Sequence, residues 1–133
     1  MKRRTHNSGR GAAAVEFAVL LPFLLFVLVL SVDFARIFYF SQVITNCARN
    51  GAAWASDPSA PAYNLYSSVS QAALADATNL SPQPTVTSST GTDASGNAYV
   101  SCTVSWQFHT FTSFPGVPNV TLNRTVVARS APQ

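Results

Sequence analysis

Glu16 lies in "SGRGAAAVEFAVLLPF", residues 8 to 23, a few positions inside an otherwise apolar run. A carboxylate in a membrane helix costs free energy unless it stays near the membrane edge or meets a positive partner, so its chemistry is electrostatic attraction. Nucleophilic chemistry is poorly supplied. The chain has two histidines and two cysteines. His6 sits among basic residues near the start, which leaves His109 at the polar end of a strand. Cys102 and His109 are separated by seven positions, and an odd separation puts them on opposite faces of a strand, so they form no nucleophile pair. No cluster of Cys, His and carboxylates has metal-ligand spacing. No glycine-rich loop joins a strand to a helix, as phosphate binding requires. These residues imply no catalytic group, no metal, no cofactor and no small-molecule substrate. Asn79, Asn119 and Asn123 head N-x-Ser/Thr triplets, which chance supplies in a chain this rich in Ser and Thr.

The elements that position these residues follow from length and charge. A chain of 133 residues has room for one small domain and an anchor. Lys2, Arg3, Arg4 and Arg10 precede the apolar run, while all five acids lie at or beyond Glu16. The net charge of +3 therefore belongs to the tip. The rest has four basic against five acidic residues, which argues against a nucleic-acid-binding face.

Phe17 to Val32 is a run of sixteen residues without a formal charge, or roughly 24 Å of helix. That is short of a bilayer core of about 30 Å. Starting at Ala12 gives 21 residues and roughly 31 Å, so the span includes Glu16 near its edge. Four cationic residues before the span keep the amino end cytoplasmic and place the bulk of the chain outside. A cleaved secretory signal is the weaker reading. The apolar core exceeds its usual length of about 7 to 15 residues, and the nearest small-x-small site, Ala53 to Ala55, lies far past it.

A basic leader, a glycine, small residues, then Glu-Phe and an apolar helix resemble the type IV prepilin processing signal, here "G-AAAV-EF". The continuation "DFARIFYFSQVITNCARNGAAWA" is similar to the post-membrane segment of TadE-like pseudopilins. The resemblance covers roughly residues 9 to 55 and departs from the usual small alanines at Cys47. It implies cleavage by a prepilin peptidase between Gly11 and Ala12, with Glu16 and Phe17 as the processing and assembly motif. It also implies other pilin or pseudopilin subunits as partners.

Beyond the span, Phe34, Ile37, Phe38, Ser41, Ala48, Ala52 and Ala55 share one helical stripe. Phe40, Val43, Cys47 and Trp54 form a second, and Gln42, Asn46, Arg49 and Asn50 the wet face. Either both stripes are core, or one is left to meet neighbouring subunits. Asp33 and Arg36 have the spacing of a helix-surface pair. Asp57-Pro58 ends the helix.

"DPSAPAYN" reads as loop. Leu65, Val69, Ala72, Ala73, Ala77 and Leu80 then recur at helical spacing, and "SPQP" stops that helix. In "VSCTVSWQF", Val100, Cys102, Val104, Trp106 and Phe108 alternate with polar residues, as a half-buried strand requires. "TVTSST" before the turn "GTDASGN" is its hairpin partner, and "NVTLNRTVVAR" a last strand whose apolar side Arg124 interrupts.

The expected fold is α+β: a long N-terminal transmembrane and amphipathic helix packed on a small antiparallel β-sheet, with one short extra helix. The expected divisions are a basic leader at 1–11, a transmembrane helix at 12–32, an amphipathic extension at 33–56 and an extracytoplasmic α+β domain at 57–133. Outward topology puts Cys47, on an apolar stripe, and Cys102, on the inward strand face, where a disulfide can persist. Two buried free thiols are the alternative. The expected function is that of a non-enzymatic pseudopilin of the inner membrane, taking part in assembly of a tight-adherence pilus or related secretion filament. The alternative is a bitopic envelope protein whose outer domain binds a partner.

Overall fold

The computed structural model describes residues 8–63, 65–110 and 119–130. Lys2, Arg3, Arg4 and His6 lie outside the described residues. Helix α1 runs over Ser8–Ser56, with Pro22 inside it. A proline within an apolar helix removes one backbone donor and is tolerated in membrane segments. The helix stops where the next residue, Asp57, precedes Pro58 and is pushed out of helical angles.

The chain divides into two compact units, residues 1–36 and 37–133. In the first, the apolar side chains from Val15 through Val32 point outward along most of their length. The helix is long and apolar enough to cross a membrane, the environment in which such a surface costs least. At the end of this unit Arg36 Nη1 donates to Oδ1 of the buried Asp33 at 3.1 Å, the spacing-based pair of the sequence.

In the second unit the remainder of α1 buries Ile44, Cys47, Ala48, Gly51 and Ala52, residues that share one face of a 3.6-residue repeat. That face meets an antiparallel sheet of three strands in the order β1-β2-β3, where β1 is Thr85–Thr92, β2 Ala98–Phe108 and β3 Val120–Arg129. The central strand β2 buries Val100, Cys102, Val104, Trp106 and Phe108 in alternation. Phe40 of α1 fills the space between strand and helix, with ring centroids 4.9 Å from Trp106 and 5.8 Å from Phe108. Leu122 of β3 joins the same core. The fold is α+β, a long apolar helix with a small antiparallel sheet and short helices.

The two apolar stripes of α1 merge into one core face from Phe40 onward, with Ile44 between them. Phe34 and Phe38, at the start of the first stripe, are exposed. Two short helices stand where one was expected. The segment read as loop contains α2, Ala60–Tyr63. Asp57 organises it: Oδ1 accepts from Ser59 N at 2.8 Å, and its carbonyl accepts from Ala60 N at 3.1 Å. The extra helix α3 covers Val69–Leu74. Its N-cap Ser68 accepts from Gln71 N at 3.2 Å, while Gln71 Oε1 accepts from Ser67 N at 3.0 Å, a variant of the capping box that fixes the start past Leu65. Leu65 is therefore 97% exposed rather than on the core face. Ala77 and Leu80 still reach the core through successive turns, Ala77 N to Leu74 O and Leu80 N to Ala77 O.

Candidate functional site

The amino-terminal motif residues Gly11, Ala12, Glu16 and Phe17 all lie in the early turns of α1 and are exposed. Among the described residues, nothing beyond the chain neighbours and the helix's own backbone stands within 4 Å of the position a Cβ on Gly11 would take. Ala12 and Glu16 are four residues apart and share a helical face. Among the described residues no hydrogen bond or ion pair engages the Glu16 carboxylate. On the exposed helix surface its neighbours are Val15, Val19 and Leu20.

Cys47 and Cys102 are free, fully buried thiols of one core cluster. Burial pushes both above the ordinary thiol value of 9.0, with the nearby Asp76 and Cys102 adding to the effect at Cys47. The sulfur of Cys102 comes within 2.6 Å of where a Cβ on Gly51 would stand, and Ala73 Cβ within 3.0 Å. A glycine at this point lets helix and strand approach more closely than any other residue allows. His109 follows the end of β2 and is exposed, its Nδ1 paired with Asn119 Oδ1 at 3.1 Å, so the structure does not bring it to the buried Cys102.

The last turn of α1, α2 and α3 enclose a cleft of about 370 Å³. Trp54, Tyr63 and Tyr66 supply aromatic walls, and Asn50, Asp57 and Asp76 the polar groups. These groups are engaged with one another. Tyr63 donates its hydroxyl to Asp57, Asn50 Nδ2 donates to Asp76 Oδ2 at 2.8 Å, and Trp54 Nε1 donates to Tyr66 O at 3.1 Å. The Tyr63 hydroxyl holds the Asp57 carboxyl below its ordinary 3.8, and the same bond raises the Tyr63 phenol above 10.0. The sequence singled out none of these contacts. The one available signal was the density of aromatic and acidic residues between positions 54 and 76.

Residues 11–53 match the family model described as TadE-like protein. The matched segment starts at Gly11 and ends within α1, so the likeness to that family is carried by the helix. It is the family that roughly residues 9–55 resemble in sequence. No curated protein and no solved structure matches the chain.

Proposed function

We propose that this chain is a non-enzymatic pseudopilin, cut by a prepilin peptidase before Ala12 and then taking part in assembly of a tight-adherence pilus or related secretion filament. The observation that carries the reading is the family match over residues 11–53, whose first residue is the glycine of the processing signal. The long apolar surface of α1 supports it. In this reading residues 1–11 are a leader, 12–32 cross the inner membrane with the amino end cytoplasmic, 33–56 extend the helix, and 57–133 form an extracytoplasmic domain. The α-amino group freed at Ala12 is then a positive partner for Glu16, which has none among the described residues. The charge of an adjacent subunit's terminus is drawn to Glu16, which guides subunits into register within the membrane.

For the peptidase, Gly11 and Ala12 must leave the helix they occupy in the uncut chain. Glycine at the first of these positions weakens that turn by about 1 kcal/mol relative to alanine, and the small residues that follow offer no obstruction.

A second reading, a bitopic envelope protein whose outer domain binds a partner, is favoured by the cleft of Trp54, Tyr63, Asp57 and Asp76, since aromatic and carboxylate groups together can receive a cation. The amino-terminal sequence of the membrane-extracted protein separates the two. A start at Ala12 is expected, and conversion of Gly11 to Val abolishes it. A mature chain that keeps its basic leader overturns the pseudopilin reading and leaves the bitopic one.

A further inference from the structure

We propose that Cys47 and Cys102 are joined by a disulfide in the exported protein, a covalent clamp between the anchor helix and the central strand of its sheet. Three observations carry it. Both sulfurs are fully buried in one core cluster, although they are 55 positions apart in the chain. Gly51, one helical turn beyond Cys47 on the same face, has no side chain where Cys102 approaches, which brings the strand's sulfur against the helix backbone. The two are the whole cysteine complement of the chain, and both are shut off from solvent, so neither is placed to pair with another molecule.

The proposal rests on the outward placement of the domain argued above, because only an oxidising compartment keeps such a bond. Each thiol gives up its proton and one electron, and a sulfur–sulfur bond forms. The two electrons and two protons pass to the disulfide of an envelope thiol oxidoreductase, which leaves as a dithiol. The exchange takes place during folding, before the core closes. Once packed, the thiols are inaccessible, and burial disfavours the thiolate that would have to attack.

The test is made on the full-length chain in spheroplasts of the expressing cells. Added protease reports which side of the membrane the domain occupies. Alkylation in denaturant without reductant, followed by intact mass, counts free thiols on the same sample. A protease-accessible domain with neither cysteine alkylated, as a monomer on a non-reducing gel, is the expected result. Adding a reductant is then expected to raise the population open to proteolysis by about thirtyfold to a thousandfold, the factor corresponding to a typical native disulfide. A protease-accessible domain with two alkylated cysteines overturns the bridge and leaves the topology standing. A disulfide-linked dimer also overturns it. A domain that stays protected after reductant is added, and is cut only once the spheroplasts are lysed, overturns the topology, and the bridge with it.

Discussion

Arg124 Nη2 donates to Ser41 Oγ across 2.6 Å, tying edge strand β3 to helix α1 at residues 83 positions apart in the chain. Arg124 occupies the side of β3 that Val120, Leu122, Val126 and Ala128 turn to the core, and a charge there needs an exit. Its long stem provides one. The guanidinium also donates to the Asn123 carbonyl through Nη1 at 2.8 Å, so the head is held at the rim of the core by two hydrogen bonds.

Ser41→Ala removes the acceptor and is expected to lower stability by about 1 kcal/mol, the usual net worth of such a bond. Arg124→Met keeps the stem and loses the donors, so its cost is of similar size. If the pair acts as a unit, the double variant loses less than the sum of the two single ones. Thermal unfolding of the four proteins in detergent checks this, and strict additivity would show that the bond is incidental.

Gly51→Ala places a methyl group where Cys102 Sγ and Ala73 Cβ already stand. Alanine is the better helix former by about 1 kcal/mol, yet overpacking a closed core costs about 1–3 kcal/mol, and neither neighbour is the loose end of a long side chain. Net destabilisation is expected. Under reducing conditions, where no bridge contributes, adding Cys102→Ala to Gly51→Ala recovers part of the loss by clearing the nearer obstruction. A Gly51→Ala protein as stable as the original would mean that helix and strand can separate freely.

Asp93 opens the β1–β2 turn. Its carboxyl lies below the ordinary value of 3.8 because the Asn97 backbone N–H donates to it, helped by the Asn97 side chain and Ser95 N. Gly96, at φ 82°, closes the turn with its N–H on the Asp93 carbonyl. A carboxyl depressed in the folded state stabilises the fold above its unfolded value and loses that contribution as pH falls through the folded one. The turn therefore weakens below about pH 4. In Asp93→Asn this acid-dependent part disappears, so the stability difference between variant and parent shrinks as pH drops from 5 toward 2. A constant difference over that range would remove the carboxylate from the account.

Strand β2 was legible because its alternation has a period of two and one buried face, which fixes inward and outward residues together. The end of α1 was legible from Asp57-Pro58. Helix α2 was not, because four residues carry too little periodicity, and α3 was legible as a helix but not in its bounds. Leu65 matched helical spacing, but the Ser67, Ser68 and Gln71 hydrogen bonds decide the start of α3. Gly51 carries no signal in the sequence that explains it; the reason is the sulfur of Cys102, brought in by the sheet. Ile44 was missed because it lies between two stripes that were counted separately. Glu16 stood out at once from charge against apolarity, whereas the partner proposed for it belongs to another chain.

Glu16→Gln is expected to leave insertion and cleavage intact and to abolish incorporation into filaments. The carboxylate is exposed on the same helical face as Ala12, and among the described residues nothing neutralises it. A charged group within a bilayer costs about 2.5–3.5 kcal/mol at the centre and less toward the edge, a cost that the proposed cleavage would offset by freeing an α-amino group with an ordinary pKa of about 8 at Ala12. That amine lies one helical turn from Glu16 of its own chain. An intramolecular pair, aided by the unsatisfied N–H groups of the first turn, is therefore the competing role. The substitution separates them. Glutamine keeps size and hydrogen bonding, so loss of an internal pair would weaken the first turn of the helix but leave subunits able to assemble. Loss of an intermolecular pair removes the attraction between subunits, and processed protein accumulates in the membrane. Immunoblots of membrane and sheared-filament fractions read the difference. A processed Glu16→Gln protein that enters filaments at the parental level would assign the carboxylate to its own helix.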